Sequence, residues 1–228
     1  MMDDVWKLTE EDMELLKEST VVLSMSGGKD STACALLLQR NGIEFSSVFM
    51  DTGWEHPSVL TYIKETLEPR FGEVVVISSD KYPGGMKDLI KKKGFFPSRK
   101  IRYCTDELKI KPFRSFLKTL ESPIVYVVGI RREESKKRQK AERWKYDSKT
   151  DADVFSPLVN HSFEDVIAMH QQSYMRPNPL YLEGAQRVGC FPCIYSRKSE
   201  IKQMAETWPE RVQEIAELER KLTLARKE

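Results

Sequence analysis

VVLSMSGGKDSTACALLLQ (Val21–Gln39) is the stretch from which the fold of this 228-residue chain can be read. Its first part, Val21–Ser26, is a run of mostly β-branched and apolar residues that stops at two glycines. Its second part, Lys29–Gln39, has the composition of a helix. A buried strand, a glycine turn and a helix in this order are typical of the opening of an α/β unit.

Three more apolar runs follow, with room for helices between them, and this alternation predicts a doubly wound, mostly parallel sheet. The predicted strands are Phe45–Asp51, Glu73–Ser78 and Pro123–Ile130, and the predicted helices are Thr9–Glu18, Pro57–Leu67 and Glu107–Leu120. We expect residues 1–150 to form this α/β layer. Residues 151–228 are predicted to be a cysteine-bearing segment packed on it, irregular up to Cys193 and then helical at Ser199–Glu206 and Pro209–Leu224.

Composition places the chain among soluble globular proteins, because 40% of its residues are hydrophobic and 32% are charged. No apolar run approaches the roughly 18 residues of a membrane span, and the N-terminal MMDDVWKLTEED lacks the apolar region of a secretory signal. We therefore expect a cytoplasmic protein. Two stretches are strongly basic: Lys87–Arg102 holds seven bases and one acid, and Arg131–Lys145 holds eight bases and three acids. They indicate either a polyanionic partner or a solvated lysine-rich surface.

The glycine turn, SGGKDS (Ser26–Ser31), is the most specific string in the chain. At the carboxyl end of a strand and the start of a helix, backbone N–H groups and the helix dipole favour a phosphate group. Gly27 and Gly28 let the backbone approach an anion, Lys29 adds a positive charge, and two serines add hydroxyl donors. The string differs from the GxxxxGK[ST] loop, so transfer of a γ-phosphate is not expected.

SGGKDS resembles the PP-loop of the ATP-pyrophosphatase (adenine nucleotide α-hydrolase) superfamily, and four further motifs resemble its PAPS reductase-like branch. They are MDTGWEHP (Met50–Pro57), GIRREESKKR (Gly129–Arg138), SPLVNHSFEDV (Ser156–Val166) and NPLYLEGAQRVGCFPC (Asn178–Cys193). The resemblance covers roughly residues 20–195. It implies a Rossmann-like fold that binds ATP with Mg²⁺, cleaves it between the α and β phosphates and adenylates an acceptor.

The same resemblance implies the site residues. Lys29, Asp30 and Arg131 would be catalytic, with Lys29 and Arg131 stabilising the charge of departing pyrophosphate. The residues expected to contact the nucleotide or its metal are Ser26, Gly27, Gly28, Lys29, Asp30, Ser31, Asp51, Thr52, Gly53, Gly129, Arg131, Glu134, Ser135 and Arg138. Within this set Asp51 would orient Mg²⁺ or the ribose, or be a simple turn residue.

Four cysteines are too few for a disulfide scaffold. Cys190 and Cys193 form a C-x-x-C in GCFPC, and Cys104 lies in RYCTDELKIKP, which resembles a segment of iron–sulfur members of the family. That resemblance implies a [4Fe–4S] cluster with one open iron that could carry sulfur. A zinc ion with His161 or His170, a redox pair and inert packing remain alternatives. Cys34, in the apolar helix after the loop, is expected to be a core thiol.

Together these features predict an ATP-dependent, adenylating sulfurtransferase. Its partners would be ATP, a nucleic acid acceptor (tRNA or DNA, DNA phosphorothioation included) and a sulfur donor protein or sulfide, and the last two helices could form a homodimer. One alternative is a sulfonucleotide reductase or a sulfate adenylyltransferase-like enzyme. However, no cysteine follows Cys193, where assimilatory reductases carry their nucleophile, so reduction is not expected. A second alternative is a non-catalytic nucleotide-binding subunit with structural zinc. His161 also stands where the family has tryptophan.

Overall fold

The computed structural model describes residues 4–225, and side chains from residue 5 to residue 224. The chain termini considered above, residues 1–3 and 226–228, lie outside the described residues. Backbone contacts divide the rest into two compact units. The sheet unit contains residues 4–50, 57–77 and 113–188, and the cysteine unit contains residues 51–56, 78–112 and 189–225. Each unit is formed by several separate segments of the chain. The expected division at one point, into residues 1–150 and 151–228, stays a prediction.

The sheet unit is built on a sheet of six described strands in the order β3-β2-β1-β4-β6-β5. Every neighbouring pair is parallel except β5 with β6, which is antiparallel. The strands are β1 (Thr20–Ser24), β2 (Ser46–Met50), β3 (Val74–Ile77), β4 (Ile124–Val127), β5 (Trp144–Asp147) and β6 (Ala152–Phe155). The predicted α/β class and mostly parallel sheet are therefore confirmed, and all four predicted strands are present.

Residues 151–193 were expected to be irregular, and this expectation was wrong in three places. β6 pairs with β4 inside the main sheet, and Phe163–Gln172 and Pro179–Leu182 form helices. β6 has only four residues, ADVF, and therefore lacks the long apolar run on which strand prediction depends. The helix Phe163–Gln172, in contrast, has a sequence pattern that indicates a helix start, because Ser162 and Asp165 form a capping box there.

Helices cover both faces of the sheet and also make up most of the cysteine unit. In the sheet unit they are α1 (Glu10–Lys17), α2 (Lys29–Arg40), α3 (Pro57–Tyr62), α4 (Glu68–Phe71), α8 (Phe163–Gln172) and α9 (Pro179–Leu182). In the cysteine unit they are α5 (Gly85–Lys93), α6 (Tyr103–Thr105), α10 (Lys198–Thr207) and α11 (Pro209–Ala225), and α7 (Lys111–Leu117) begins there. π-helical segments, Ile63–Leu67 and Asp106–Ile110, join α3 to α4 and α6 to α7.

The central strand explains why the opening stretch reads as a continuous apolar run. Leu23 of β1 lies in one core cluster with the helix α2, whereas Val22 lies in a second cluster with α7. Both side chains are fully buried, as expected for a strand with helices on both faces. Cys34 is also fully buried in α2, as predicted for a core thiol. Among the residues described, no helix is both long enough and apolar enough to cross a bilayer.

The start of α1 is attached to the sheet by a buried carboxylate. Asp12 accepts the Thr9 N–H in a capping box, and it also accepts hydrogen bonds from Arg143 Nη2 at 2.6 Å and from Trp144 Nε1 at 2.7 Å. Burial alone would raise the pKa of this carboxyl. The hydrogen bonds from Arg143, Thr9 and Trp144 outweigh burial, so the pKa of Asp12 lies below its ordinary value of 3.8.

We expect Asp12→Asn to lower the free energy of unfolding by about 2 kcal/mol at pH 7, because a charge-assisted network is lost. A depressed carboxyl pKa stabilises the fold above the unfolded-state pKa and ceases to do so as pH falls through the folded-state value. The difference between the two proteins should therefore be full above about pH 4 and shrink below it. Urea unfolding at several pH values measures this. Exposed Glu11→Gln is the control; an Asp12→Asn protein equal to it would contradict the prediction.

Candidate functional site

The loop Ser26–Ser31 is closed by its own hydroxyl groups. The Ser26 N–H donates to Ser31 Oγ at 3.2 Å, and the Ser31 hydroxyl lies 3.0 Å from the Gly28 carbonyl oxygen and donates to it. Gly27 has φ +71°, in the left-handed region that favours glycine, and a Cβ there would lie 3.3 Å from Val59 Cγ1. The two serines and the first glycine therefore hold the loop in one shape.

A side chain from α8 and one from the residue just before α9 fix two carbonyl groups of this loop. Asn178 Nδ2 donates to the Gly27 carbonyl at 3.1 Å, and His170 Nε2 donates to the Lys29 carbonyl at 2.8 Å. Burial lowers the pKa of His170, so the ring is neutral at pH 7. The Lys29 N–H donates to Tyr181 Oη at 3.1 Å. Gly28, the residue before α2, contributes no side-chain cap, and Tyr181 takes this role at the Lys29 N–H. The other backbone N–H groups of the first turn are of the kind that usually contacts a phosphate.

Asp30 joins the loop to the end of β4. Its carboxylate accepts a hydrogen bond from Arg131 Nε at 2.6 Å and from Lys29 Nζ at 2.9 Å. Arg131 also pairs with Glu133, and its side chain is only 4% exposed. Burial would lower the pKa of the guanidinium, but the hydrogen bond and charge of Asp30, followed by those of Glu133, raise it, so Arg131 stays charged.

Gly129 lies against the first turn of α2. A Cβ at this position would be 2.7 Å from the Asp30 carbonyl carbon and 2.8 Å from the Ser31 nitrogen, distances that real Cβ atoms do not reach. Only a glycine therefore allows the end of β4 to approach the start of α2 so closely. This close approach is what lets Arg131, two residues later, reach Asp30.

A cavity of about 350 Å³ opens at this junction. Its lining includes the predicted Ser26, Gly28, Lys29, Asp30, Ser31, Gly129, Glu134 and Arg138, and also Tyr181 and Arg187, which the sequence analysis did not select. Arg131, expected to contact phosphate, does not belong to the lining, because its guanidinium is held by carboxylates. Ser135 is exposed and also outside the lining; its hydroxyl accepts the Arg138 N–H at 3.4 Å.

The remaining nucleotide-contacting candidates, Asp51, Thr52 and Gly53, belong to the cysteine unit. Asp51 Oδ1 accepts the Gly53 N–H at 2.8 Å, which is the hydrogen bond of a simple Asx turn. Thr52 is buried, and its hydroxyl lies 2.8 Å from the Glu55 carboxylate. In this unit Thr52 lines a cavity that contains no part of the glycine loop.

That cavity, of about 320 Å³, brings together the three cysteines that the sequence analysis selected. Cys104, Cys190 and Cys193 all line it, together with Lys109 and Trp54. The Cys190 thiol donates to Glu55 Oε1 at 3.6 Å, and Lys109 Nζ lies 3.7 Å from the same oxygen. Neither Glu55 nor Lys109 was selected from sequence, because nothing in their local pattern distinguishes them from surface charges.

Burial keeps the Cys190 thiol protonated at pH 7. Burial raises the pKa of Cys190 to about 11, although Lys109 opposes this shift. Burial would lower the pKa of Lys109, but Cys190 and Glu55 raise it, so the lysine stays charged. Among the described residues, no three Cys, His, Asp or Glu side chains are already arranged as metal ligands. His161 and His170, the suggested zinc ligands, instead have their Nε2 atoms 2.8 Å from the Val5 and Lys29 carbonyl oxygens.

With this geometry in view, comparison with known proteins identifies the family. Residues 20–196 match the phosphoadenosine phosphosulfate (PAPS) reductase domain. The chain belongs to the PAPS reductase domain family. A relative from Escherichia phage 186, an uncharacterized 37.8 kDa protein, is 34% identical over 259 aligned residues, covering 92% of this chain and 77% of its own length. The adenosine 5'-phosphosulfate reductase of Allochromatium vinosum is 23% identical over 178 residues, covering 76% of this chain and 68% of its own length.

The family assignment agrees with the solved structures of similar fold. FMN adenylyltransferase from Candida glabrata, in complex with FAD and inorganic pyrophosphate, has a TM-score of 0.63 at 16% identity and covers 83% of this chain and 61% of its own. The U34-tRNA thiolase NcsA from Methanococcus maripaludis, with its [4Fe-4S] cluster, has a TM-score of 0.53 at 14% identity and covers 98% and 75%. At these identities the likeness concerns the fold. The chain spans less than half the length of two Methanocaldococcus jannaschii relatives.

We expect Gly129→Ala to weaken ATP binding at least tenfold, because the added methyl group would collide with backbone atoms of Asp30 and Ser31. Isothermal titration with ATP measures the loss. Gly42→Ala is the control, since a Cβ there meets nothing within 4 Å, and its φ of +68° makes it the more demanding position for the backbone. Unchanged ATP affinity in Gly129→Ala would show that the loop is not the nucleotide site.

Proposed function

We propose that this PAPS reductase-family chain is an adenylating enzyme that binds ATP·Mg²⁺ at Ser26–Ser31 and cleaves it between the α and β phosphates. An oxygen of the acceptor attacks the α-phosphorus, and pyrophosphate leaves in line. The observation that carries the proposal is the loop itself, whose shape is fixed by its serines and whose carbonyl groups are held by Asn178 and His170. The Lys29 N–H already donates to Tyr181, so the backbone donors that we assign to a phosphate are those of Asp30 and Ser31, which lie at the start of α2 and line the cavity.

The charged side chains then divide into two roles. Lys29, Arg138 and Arg187 line the cavity and are the cations within reach of a bound polyphosphate. Arg131 is a positioning residue, because its guanidinium is held by Asp30 and Glu133 behind the loop. Asp30 orients Lys29 through the 2.9 Å ion pair. Stabilising the charge on departing pyrophosphate in this way is the main contribution that a protein makes to phosphate chemistry.

Replacing Lys29 tests this assignment. We expect Lys29→Ala to reduce pyrophosphate release from ATP at least 100-fold, since its ammonium is the cation on the loop itself. Lys137→Ala, an exposed charge outside the cavity lining, should keep full activity. Pyrophosphate is measured with a coupled assay in the presence of acceptor. Equal activity of Lys29→Ala and Lys137→Ala would refute the catalytic role of the loop.

The cysteine cavity supports a second step, sulfur transfer. Three thiols and no histidine occur in the described lining, and such a soft donor set suits an iron–sulfur cluster or zinc. Cys104, Cys190 and Cys193 would hold the group, and binding would release the thiol protons that the raised Cys190 pKa retains. A [4Fe–4S] cluster on three cysteines would supply one open iron as a sulfur site. Lys109 balances the negative charge that the deprotonated thiols add.

We expect the protein purified without oxygen to be brown and to contain iron, and Cys104→Ser, Cys190→Ser and Cys193→Ser each to lose most of it. Cys34→Ser is the control, because Cys34 is buried in α2 and absent from the cavity lining. Iron and zinc contents are measured by elemental analysis alongside the visible spectrum. A colourless, zinc-loaded protein would remove the sulfur-transfer step and favour a structural metal.

The acceptor we propose is a nucleic acid. The exposed bases of Lys87–Arg102 and Arg131–Lys145 supply charge for a polyanion, whereas Arg131 and Arg143 are held by carboxylates, and the fold neighbour NcsA is named as a tRNA thiolase. A second candidate function, reduction of adenosine phosphosulfate, is favoured by the name of the Allochromatium relative. The two activities differ in their products: adenylation releases pyrophosphate from ATP, whereas the reductase releases sulfite from adenosine phosphosulfate with a thiol reductant and needs no ATP.

A further inference from the structure

A second cavity, of about 630 Å³, opens beside the loop within the sheet unit. It shares two residues, Lys29 and Tyr181, with the cavity of about 350 Å³ at the loop, where we propose that ATP binds. The rest of its lining comes mainly from α8 and from residues 174–177 and 185–186. Because the two cavities meet at Lys29, a molecule held in the second cavity would have one end beside the predicted phosphates.

One face of α8 lines this cavity. Phe163, Ile167 and Gln171 follow one another at intervals of four residues along this face, and Tyr174 continues it just past the helix. Eight residues separate Phe163 from Gln171 within α8, which at 1.5 Å per helical residue is about 12 Å, and Tyr174 lies beyond the helix end. That length matches about four stacked nucleotides at 3.4 Å each and exceeds a single nucleoside.

Two exposed aromatic rings mark the ends of this face. Phe163 is 46% exposed, and its ring centroid lies 5.7 Å from Lys29 Nζ. Tyr174 is 94% exposed and has φ +50°, a left-handed conformation that is unusual for a bulky residue. Glycine or asparagine would adopt this backbone conformation with less strain. Tyr174 therefore combines a strained backbone with an aromatic ring that is exposed to solvent.

The polar part of the lining suits a polyanion that carries heteroaromatic bases. Lys29 and Arg176 are the charged residues of the lining. His170 also belongs to it but is neutral, and the lining contains no carboxylate. Gln171 and Gln186 are exposed amides that can donate to and accept from a base edge. Aromatic platforms together with cations are the usual combination for binding a single strand, because every base has a face that can stack.

We propose that this groove along α8 holds a single-stranded segment of the nucleic acid acceptor, with bases stacked on Phe163 and Tyr174 and one end delivered to Lys29. The inference rests on the proposed adenylating function and adds the form of its substrate: unpaired, and read by stacking rather than as a duplex. A free nucleotide shares the chemistry of the base but fills only part of the groove.

The test uses the full chain and a single-stranded 12-nucleotide oligomer with 2-aminopurine at its centre, whose fluorescence falls on stacking. We expect Tyr174→Gly to weaken binding about 5- to 150-fold, the range for loss of one stacked base. Its melting temperature should be unchanged or higher, because glycine removes the φ strain. Tyr174→Phe, which keeps the ring, should bind as the wild type does, and Phe163→Ala should weaken binding as Tyr174→Gly does.

Three results would overturn the proposal: wild-type oligomer affinity in both Tyr174→Gly and Phe163→Ala, equal binding of the matching duplex, or complete competition by AMP, which would indicate a mononucleotide site. Pyrophosphate release from ATP, measured with the oligomer as acceptor at a concentration that saturates binding, separates this proposal from the proposed function. If the wild type never cleaves ATP, yet binding depends on Tyr174, the groove assignment stands and adenylation fails. If Lys29→Ala abolishes cleavage while the groove variants bind normally, adenylation stands and the groove assignment fails.

Discussion

The close approach of β4 to the first turn of α2 is the constraint on which the rest of the candidate site depends. Gly129 has no side chain to separate the strand end from the Asp30 peptide, and the next residues of the chain can therefore place Arg131 against Asp30. Asp30 in turn holds Lys29. A buried arginine with two carboxylate partners is stable only as a complete network, because removing one partner leaves a buried charge without compensation. The loop geometry and the charge distribution of the cavity thus have one common origin.

The two chemistries proposed for this chain lie in different compact units. The sheet unit holds the glycine loop and its cations, and the cysteine unit holds the three thiols. The segment Asp51–Gly53, which the resemblance assigns to the nucleotide, belongs with the thiols, and Thr52 lies 3.9 Å from Cys190 Sγ. Asp51 follows β2 directly because the chain leaves the sheet unit at this point and enters the cysteine unit.

Elements with strong local signals were predicted well. The capping box at Thr9, the apolar run of β1 and the glycine turn before α2 act over a few residues, so their local sequence is sufficient. β6 was missed because four residues with two buried positions do not make a recognisable pattern, and pairing with β4 is what makes them a strand. The predicted helix Glu107–Leu120 is instead a π-helical segment followed by α7, a distinction that propensity does not carry.

Sequence alone determined the order of strand, turn and helix and the chemical groups of the loop, because these depend on neighbouring residues, and it indicated the family through short motifs spread over residues 20–195. It also selected the three cysteines that share one cavity. Only the tertiary structure decided which groups meet. Arg131 reaches Asp30 across 101 residues of chain, Tyr181 reaches the Lys29 N–H across 152, and one face of α8 opens beside the loop. Contacts over such separations follow from the packing of helices on the sheet, which local patterns do not encode.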